Sequence, residues 1–266
     1  MRENKFRQAL NREGPIFGMG AASPGLVEVI GHWGYDYVFI DSEHATLTVD
    51  FHLEELVRAA DSANIAVVFR VKGLDEHLVR NALEMGVDAV VIPHIRTVAD
   101  AETAVSYARF PPKGVRGSAA AIRAANYGAG KDFNWQEFVR KTNEDVVVIG
   151  LAEDREFFEN IDGIVGVDGL SMVNFGPTDL AMNLGLNLLY DLDAPPILAA
   201  MEQLAAKAAP RNIPLMCPAA PPNLERVRKM IKQGIKAITL RNQYVTFNNV
   251  CKQYLNEIVA PIREEK

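Results

Sequence analysis

The sequence predicts a single (β/α)8 barrel, an α/β fold, running as one domain over residues 1–266. Three observations carry that expectation. Eight short apolar runs recur along the chain, amphipathic stretches of helical period separate them, and no break in composition divides the chain. A nearly continuous apolar run is what a parallel strand covered on both faces requires. A chain of 266 residues, 48% of them hydrophobic, suits one barrel of this kind.

Taken in order, Phe6–Gly14 reads as an opening helix, followed by the first run, Pro15–Ala21. The second run is Tyr37–Glu43. After it, Asp50–Ala63 carries Phe51, Leu53, Leu56, Val57 and Ala60 at helical spacing. The third run, Ala66–Val71, leads to a helix over Asp75–Met85 with Gly86 as its C-cap. The fourth, Ala89–His94, precedes a helix over Val98–Ala108 that Thr97 can N-cap. The longest irregular piece, Phe110–Lys131, follows, and a segment of that length is often functional. Runs five to eight are Val146–Glu153, Gly169–Gly176, Pro214–Ala219 and Ala237–Asn242. A helix over Pro222–Gln233 ends at Gly234, and Phe247–Ile262 forms a closing helix. A doubly wound open sheet is the structural alternative. It needs a glycine-rich phosphate loop, and Gly18–Ser23 lacks the full spacing.

The formal net charge of −6 and the absence of a basic block argue against nucleic acid as a partner. Arg109, Lys113, Arg116 and Arg123 are loosely spaced, and most of them read as solvated charges. Two distant cysteines, Cys217 and Cys251, imply no disulfide framework. The polar N-terminal stretch has no signal-like apolar region, and no run approaches membrane-spanning length. A cytoplasmic protein without membrane partners is expected.

In such a barrel the reacting groups sit at the C-terminal strand ends. Those ends carry Asp41, Glu43 and His44, then Arg70, His94, Glu153 and the turn Gly176-Pro177-Thr178-Asp179. Glu153 and Asp179 are candidate ligands for a hard divalent cation, although each could instead be the first-turn acid of the next helix. Arg70, at the end of an apolar strand, needs an anionic partner; it can face an enolate oxygen or pair with Asp41 or Glu43. His44 is a candidate proton shuttle that Asp41 or Glu43 can orient, or else a surface histidine. His94 reads as a wall of the site. In the turn Gly176-Pro177-Thr178-Asp179, the free backbone N–H groups of Thr178 and Asp179 suit a carboxylate, although a plain turn uses the same residues.

Taken as an ordered set, Asp41-Ser42-Glu43-His44, Val68-Phe69-Arg70-Val71, Ala108–Gly117 (ARFPPKGVRG), Glu153-Asp154-Arg155-Glu156 and Gly176-Pro177-Thr178-Asp179-Leu180 resemble the HpcH/HpaI aldolase family. The resemblance covers most of the chain. It implies a metal-dependent class II pyruvate aldolase, a carbon–carbon lyase that cleaves a 4-hydroxy-2-oxo acid or 2-keto-3-deoxy acid to pyruvate and an aldehyde. It implies Mg²⁺, Mn²⁺ or Co²⁺ on Glu153 and Asp179, Arg70 as enolate stabiliser, His44 as acid/base with Asp41, and a place for Glu84 in the proton network. It also implies a homo-oligomer, a hexamer or trimer of dimers, with the closing helix exchanged between subunits and Phe110–Lys131 at a shared site. Three departures stand out. Leu151 replaces a usual Gln, so a polar group near the metal is missing. The first run reads Gly18-Met19-Gly20-Ala21 without a Trp. The last run ends Leu240-Arg241-Asn242, and Arg241 can bind a second carboxylate or phosphate of the substrate or serve as an interface charge. The alternatives are another enolate reaction (a decarboxylase or acyl-CoA lyase), a Schiff-base aldolase using Lys72, and a non-catalytic binding protein.

Overall fold

The computed structural model describes residues 3–45, 51–189 and 191–265. Eight parallel strands, each paired with the next and β8 with β1, close into a barrel. The strands are β1 (Ile16–Gly20), β2 (Tyr37–Asp41), β3 (Ala66–Arg70), β4 (Ala89–Ile92), β5 (Val147–Ala152), β6 (Met172–Phe175), β7 (Leu215–Pro218) and β8 (Ile235–Asn242). Every expected run contains a strand: seven are trimmed at their ends, and β8 begins earlier than expected, at Ile235.

The helices form an outer ring. They begin with α1 (Lys5–Leu10), α2 (Pro24–His32), α3 (Phe51–Ser62), α4 (Glu76–Met85), α5 (Val98–Ala108) and α6 (Trp135–Asp145). They continue through α7 (Arg155–Glu159), α8 (Ile161–Ile164), α9 (Pro177–Asn183), α10 (Pro195–Ala208), α11 (Leu224–Lys232), α12 (Gln243–Tyr254) and α13 (Ala260–Glu264). The expected capping holds. Thr97 and Asp100 form a reciprocal box at the start of α5, and Gly86 closes α4 in the left-handed region at φ 92°. Asp50, the expected start of the third helix, lies outside the described residues. The closing helix starts earlier than its apolar spacing suggested, because Asn242 caps it by accepting from the Val245 N–H. No helix among the described residues is long and apolar enough to cross a membrane.

Strand alternation separates two cores. Ile16, Tyr37, Val68, Val91, Ile149, Met172, Met216 and Ala237 point into the barrel. Ile40, Val67, Phe69, Val90, Val148, Val173 and Ile238 point out against the helices. Burying each Val, Ile, Met or Phe among them contributes about 1.5–3 kcal/mol. Phe6 of α1 belongs to the inner core and meets Tyr37 edge-on, with ring centroids 5.3 Å apart, closing the base of the barrel. Tyr37 fills the axis and bonds Thr239 at 2.9 Å. Gly18 is required there, since a Cβ would overlap the Tyr37 ring.

Candidate active site

The same alternation that fills the barrel with Val68 and Ile149 sends Asp41, Arg70, Glu153 and Arg241 inward at its upper rim. There they line a cleft of about 440 Å³ with His44, Asn174, Gly176, Pro177, Thr178 and Asp179. That volume is in the range of small-molecule sites.

Arg70 is the organising cation. Its guanidinium meets Asp41 through two bonds, Nε to Oδ1 at 2.8 Å and Nη2 to Oδ2 at 2.6 Å. Its Nη1 lies 2.9 Å from Glu43 Oε2. Pairing Arg70 with both acids is how a barrel tolerates a nearly buried guanidinium. Burial pushes the Asp41 carboxyl up, but the hydrogen bonds and charge of Arg70 outweigh this and hold it below the usual range. Ser42, fully buried, donates to the Arg70 carbonyl at 2.7 Å and locks the β2 and β3 tips together.

Glu153 is 1% exposed. Its Oε1 accepts the His94 N–H at 2.9 Å. His94 sits in the left-handed region at φ 54°, which costs a non-glycine residue about 1–2 kcal/mol. The bonds to Glu153 and, from Nδ1, to Asp154 Oδ2 at 3.0 Å hold it there. Gly176 makes room on the other side, because a Cβ would crowd the Glu153 side chain at 2.8–3.0 Å. Burial pushes the Glu153 carboxyl up to about 7. The His94 N–H and ring oppose this, while the charges of Glu43 and Asp179 add to it. His94 is itself raised: burial lowers it, and Asp154, Glu153 and Glu43 more than compensate.

Glu43, His94 and Glu153 bring one ligand atom each within 4.8 Å of one another. Asp179, on the first turn of α9, lines the same wall and acts on Glu153 through its charge. Carboxylates and an imidazole that converge on one point, with the most buried acid pushed toward neutrality, fit a divalent cation.

Most of the sequence-predicted residues therefore meet in one cleft: Asp41, His44, Arg70, Glu153, Gly176, Pro177, Thr178, Asp179 and Arg241 all line it. His44 is 60% exposed, with Nε2 3.6 Å from Glu43 Oε2. Glu84 is not brought to this mouth. It lies on α4, close enough for its charge to act on the buried Arg116. Phe110–Lys131 also runs away from the mouth, along the outside of α3: Arg123 binds Asp61 at 2.6 Å and Tyr127 binds Glu54 at 3.0 Å. No lysine is among the described residues lining the cleft, and Lys72 is exposed.

Sequence reasoning missed the part of Glu43 and His94 in the donor cluster, and it missed Asn174. The signal for Asn174 was an amide inside an otherwise apolar strand. It is 7% exposed, and its Oδ1 has no hydrogen-bond partner. Asn174 pairs in register with Leu151 across β5 and β6. The polar group expected to be missing at Leu151 is thus replaced one strand over.

A barrel that gathers acids, a paired arginine and two histidines at its strand tips belongs among the enzymes of this fold. Its family is established by comparison: residues 17–240 match the model of the HpcH/HpaI aldolase/citrate lyase family, and the chain belongs to that family. It is 31% identical over 194 residues to a 4-hydroxy-2-oxovalerate aldolase of Novosphingobium aromaticivorans, covering 72% of this chain and 71% of that one. A hydroxypyruvate/pyruvate aldolase of Deinococcus radiodurans is 33% identical over 185 residues, 68% of this chain and 65% of that one. Among solved structures, an HpcH/HpaI aldolase/citrate lyase family protein from Burkholderia cenocepacia J2315 superposes with a TM-score of 0.86 at 28% identity, covering 96% of this chain and 99% of that one. Family membership and the donor cluster together support a lyase with a divalent metal in this cleft.

Proposed function

We propose that the chain is a class II pyruvate aldolase that reversibly cleaves a 4-hydroxy-2-oxo acid, of the 2-keto-3-deoxy acid type, to pyruvate and an aldehyde. The observation that carries this reading is the placing of Arg70 beside the Glu43–His94–Glu153 cluster in one cleft. The relatives named for aldolase activity support it.

Glu153 and Asp179 would hold Mg²⁺, Mn²⁺ or Co²⁺, with Glu43 and His94 alongside. A divalent ion there supplies Lewis-acid polarisation of the 2-oxo group. The backbone of the Gly176–Asp179 turn faces the substrate carboxylate. Arg70 presents its guanidinium to the oxygen that becomes an enolate, and Asp41 fixes that fork in place. His44, exposed at the lip, takes the proton of the 4-hydroxyl directly or through water. The C3–C4 bond then breaks, its electron pair moves into the enolate, and the aldehyde leaves. Protonation at C3 gives pyruvate.

Glu84 and Phe110–Lys131 reach a mouth of this kind only across a subunit boundary. The closing segment, α12, α13 and the turn Leu255–Val259 between them, exposes Tyr244, Phe247, Leu255, Ile258 and Ile262, an apolar stripe suited to a second copy. We therefore also propose a homo-oligomer that exchanges its closing helix, to be checked by light scattering. The activity is tested by incubating pyruvate and aldehydes with Mg²⁺, Mn²⁺ or Co²⁺ and following the hydroxy-oxo acid formed. Product that depends on added metal is expected. Full turnover by metal-stripped protein would overturn the assignment.

A further inference from the structure

The two histidines at the barrel rim are held differently. The His44 side chain is 60% exposed, and its Nε2 stands 3.6 Å from Glu43. His94 is anchored through both its backbone and its ring. Its N–H bonds Glu153, and its Nδ1 bonds Asp154 Oδ2 at 3.0 Å. Asp154 is itself fixed. It is buried, and its other oxygen accepts from Arg96 Nη2 at 3.1 Å and from Asn183 Nδ2 at 3.4 Å.

These bonds decide which ring nitrogen is free. With Nδ1 committed to a carboxylate, the neutral ring carries its proton there and its lone pair on Nε2. Nε2 lies 3.6 Å from Glu43 Oε1. The Arg70 guanidinium meets the other oxygen of Glu43, Oε2. Two ligand atoms on one ion, each about 2.1 Å from it, stand at most about 4.2 Å apart. Nε2 and Oε1 fit that span. Glu153 completes the group, whose ligand atoms all lie within 4.8 Å of one another.

We propose that His94 is a ligand of the divalent ion through Nε2, that Asp154 positions its ring, and that this nitrogen donor tilts the site from Mg²⁺ toward borderline ions such as Co²⁺. The proposal rests on the metal reading above and is independent of the substrate. Mg²⁺ takes oxygen donors, whereas imidazole suits the later first-row ions. A carboxylate on the remote ring nitrogen is the usual support of a metal-binding histidine, fixing its tautomer and orientation. The left-handed backbone serves the same end. It lets one residue bond Glu153 with its N–H and face Glu43 with its ring.

The competing role for His94 is a plain counter-charge to Glu43, Glu153 and Asp154. The two roles predict opposite signs. Removing a counter-charge frees carboxylates and tightens every cation. Removing a ligand loosens the ions that favour nitrogen and spares Mg²⁺.

The test titrates Co²⁺ and Mg²⁺ separately into chelator-stripped protein by calorimetry, in wild type, His94→Asn and Asp154→Asn. Asparagine tolerates the left-handed backbone and removes the imidazole. The Co²⁺-to-Mg²⁺ affinity ratio should fall about 10- to 100-fold in His94→Asn, and about tenfold in Asp154→Asn. A ratio unchanged in His94→Asn, or Co²⁺ bound more tightly there, overturns the proposal. His94→Gly, equally at ease at positive φ, repeats the titration should His94→Asn bind neither ion. Loss of Mg²⁺ as large as that of Co²⁺ in both variants also overturns it. A spectrum gives the second readout. One equivalent of Cu²⁺ in wild type should show spin-echo modulation from the remote nitrogen of a bound imidazole, and His94→Asn should lack it. Modulation absent from wild type, or unchanged in His94→Asn, rejects the ligand. Asp154→Asn should shift the modulation frequencies, which report the bond made by Nδ1, and an unshifted spectrum removes Asp154 from its role. None of these readouts uses turnover, so failure of the aldolase reading and failure of the ligand are seen separately.

Discussion

The two halves of the barrel mouth are built on opposite terms. Around the tips of β2 to β6, charges are crowded, partnered and mutually perturbing: Asp41, Glu43 and Arg70 form one cluster, and His94, Glu153 and Asp154 another. Around β7, β8 and β1 the lining is small or uncharged, with Gly20, Ala21, Ala22, Pro218, Ala219 and Ala220 around one arginine. The first half stores electrostatic conflict that a metal and a 2-oxo acid would resolve. The second has room and a single charge to offer. The groups that the proposed chemistry uses are thus concentrated on one side of the mouth, and the two sides can be disturbed separately.

Stripping divalent metal should break the contrast most severely. Turnover is expected to drop below detection and return on adding Mg²⁺ or Mn²⁺, as followed by pyruvate release. Next in size is Arg70→Ala, expected to lower kcat by about 100- to 1,000-fold, the usual effect of removing an oxyanion-stabilising donor. The same variant leaves Asp41 and Glu43 facing each other without a cation. A urea titration of the metal-free protein should show a loss of about 3 kcal/mol. A smaller effect is expected at the seam. Asn174→Leu should reduce kcat/KM about tenfold, as loss of a supporting polar contact does near a metal. Adding Leu151→Gln should restore most of it, since the two positions pair across β5 and β6.

The mildest effect concerns pH. In metal-free protein the Glu153 carboxyl lies at about 7 against 4.5 for an ordinary glutamate. Between those values the folded chain keeps a proton that the unfolded chain has released. The favourable contribution is therefore complete below pH 4.5 and disappears as pH rises through about 7. Thermal melts across that window should show stability falling with pH, and Glu153→Gln should flatten the slope.

Most of the fold was legible because strands buried on both faces cannot hide. Val67-Val68-Phe69 and Val146–Ile149 read as strands covered on both faces, as a parallel barrel requires. The caps were legible too, since Thr97 and Gly86 act through local geometry. Which tip residues share the cleft was largely readable from strand ends, as with Arg70 and Glu153. The rest depended on what a linear pattern does not carry. His94 read as a wall because nothing local reveals its left-handed backbone, which turns its N–H onto Glu153. Asn174 was passed over because its relation to Leu151 exists only through sheet register. Glu84 lies on a helix whose surroundings are set by the irregular segment after α5, and no periodicity describes that path.

The plug made by Phe6, Tyr37 and Thr239 has a consequence for traffic. With its floor stoppered by a helix and an axial ring, the barrel is a cup rather than a tube. Substrate, product, protons and ions must all share one doorway, so whatever leans over that rim governs every exchange with the solvent at once.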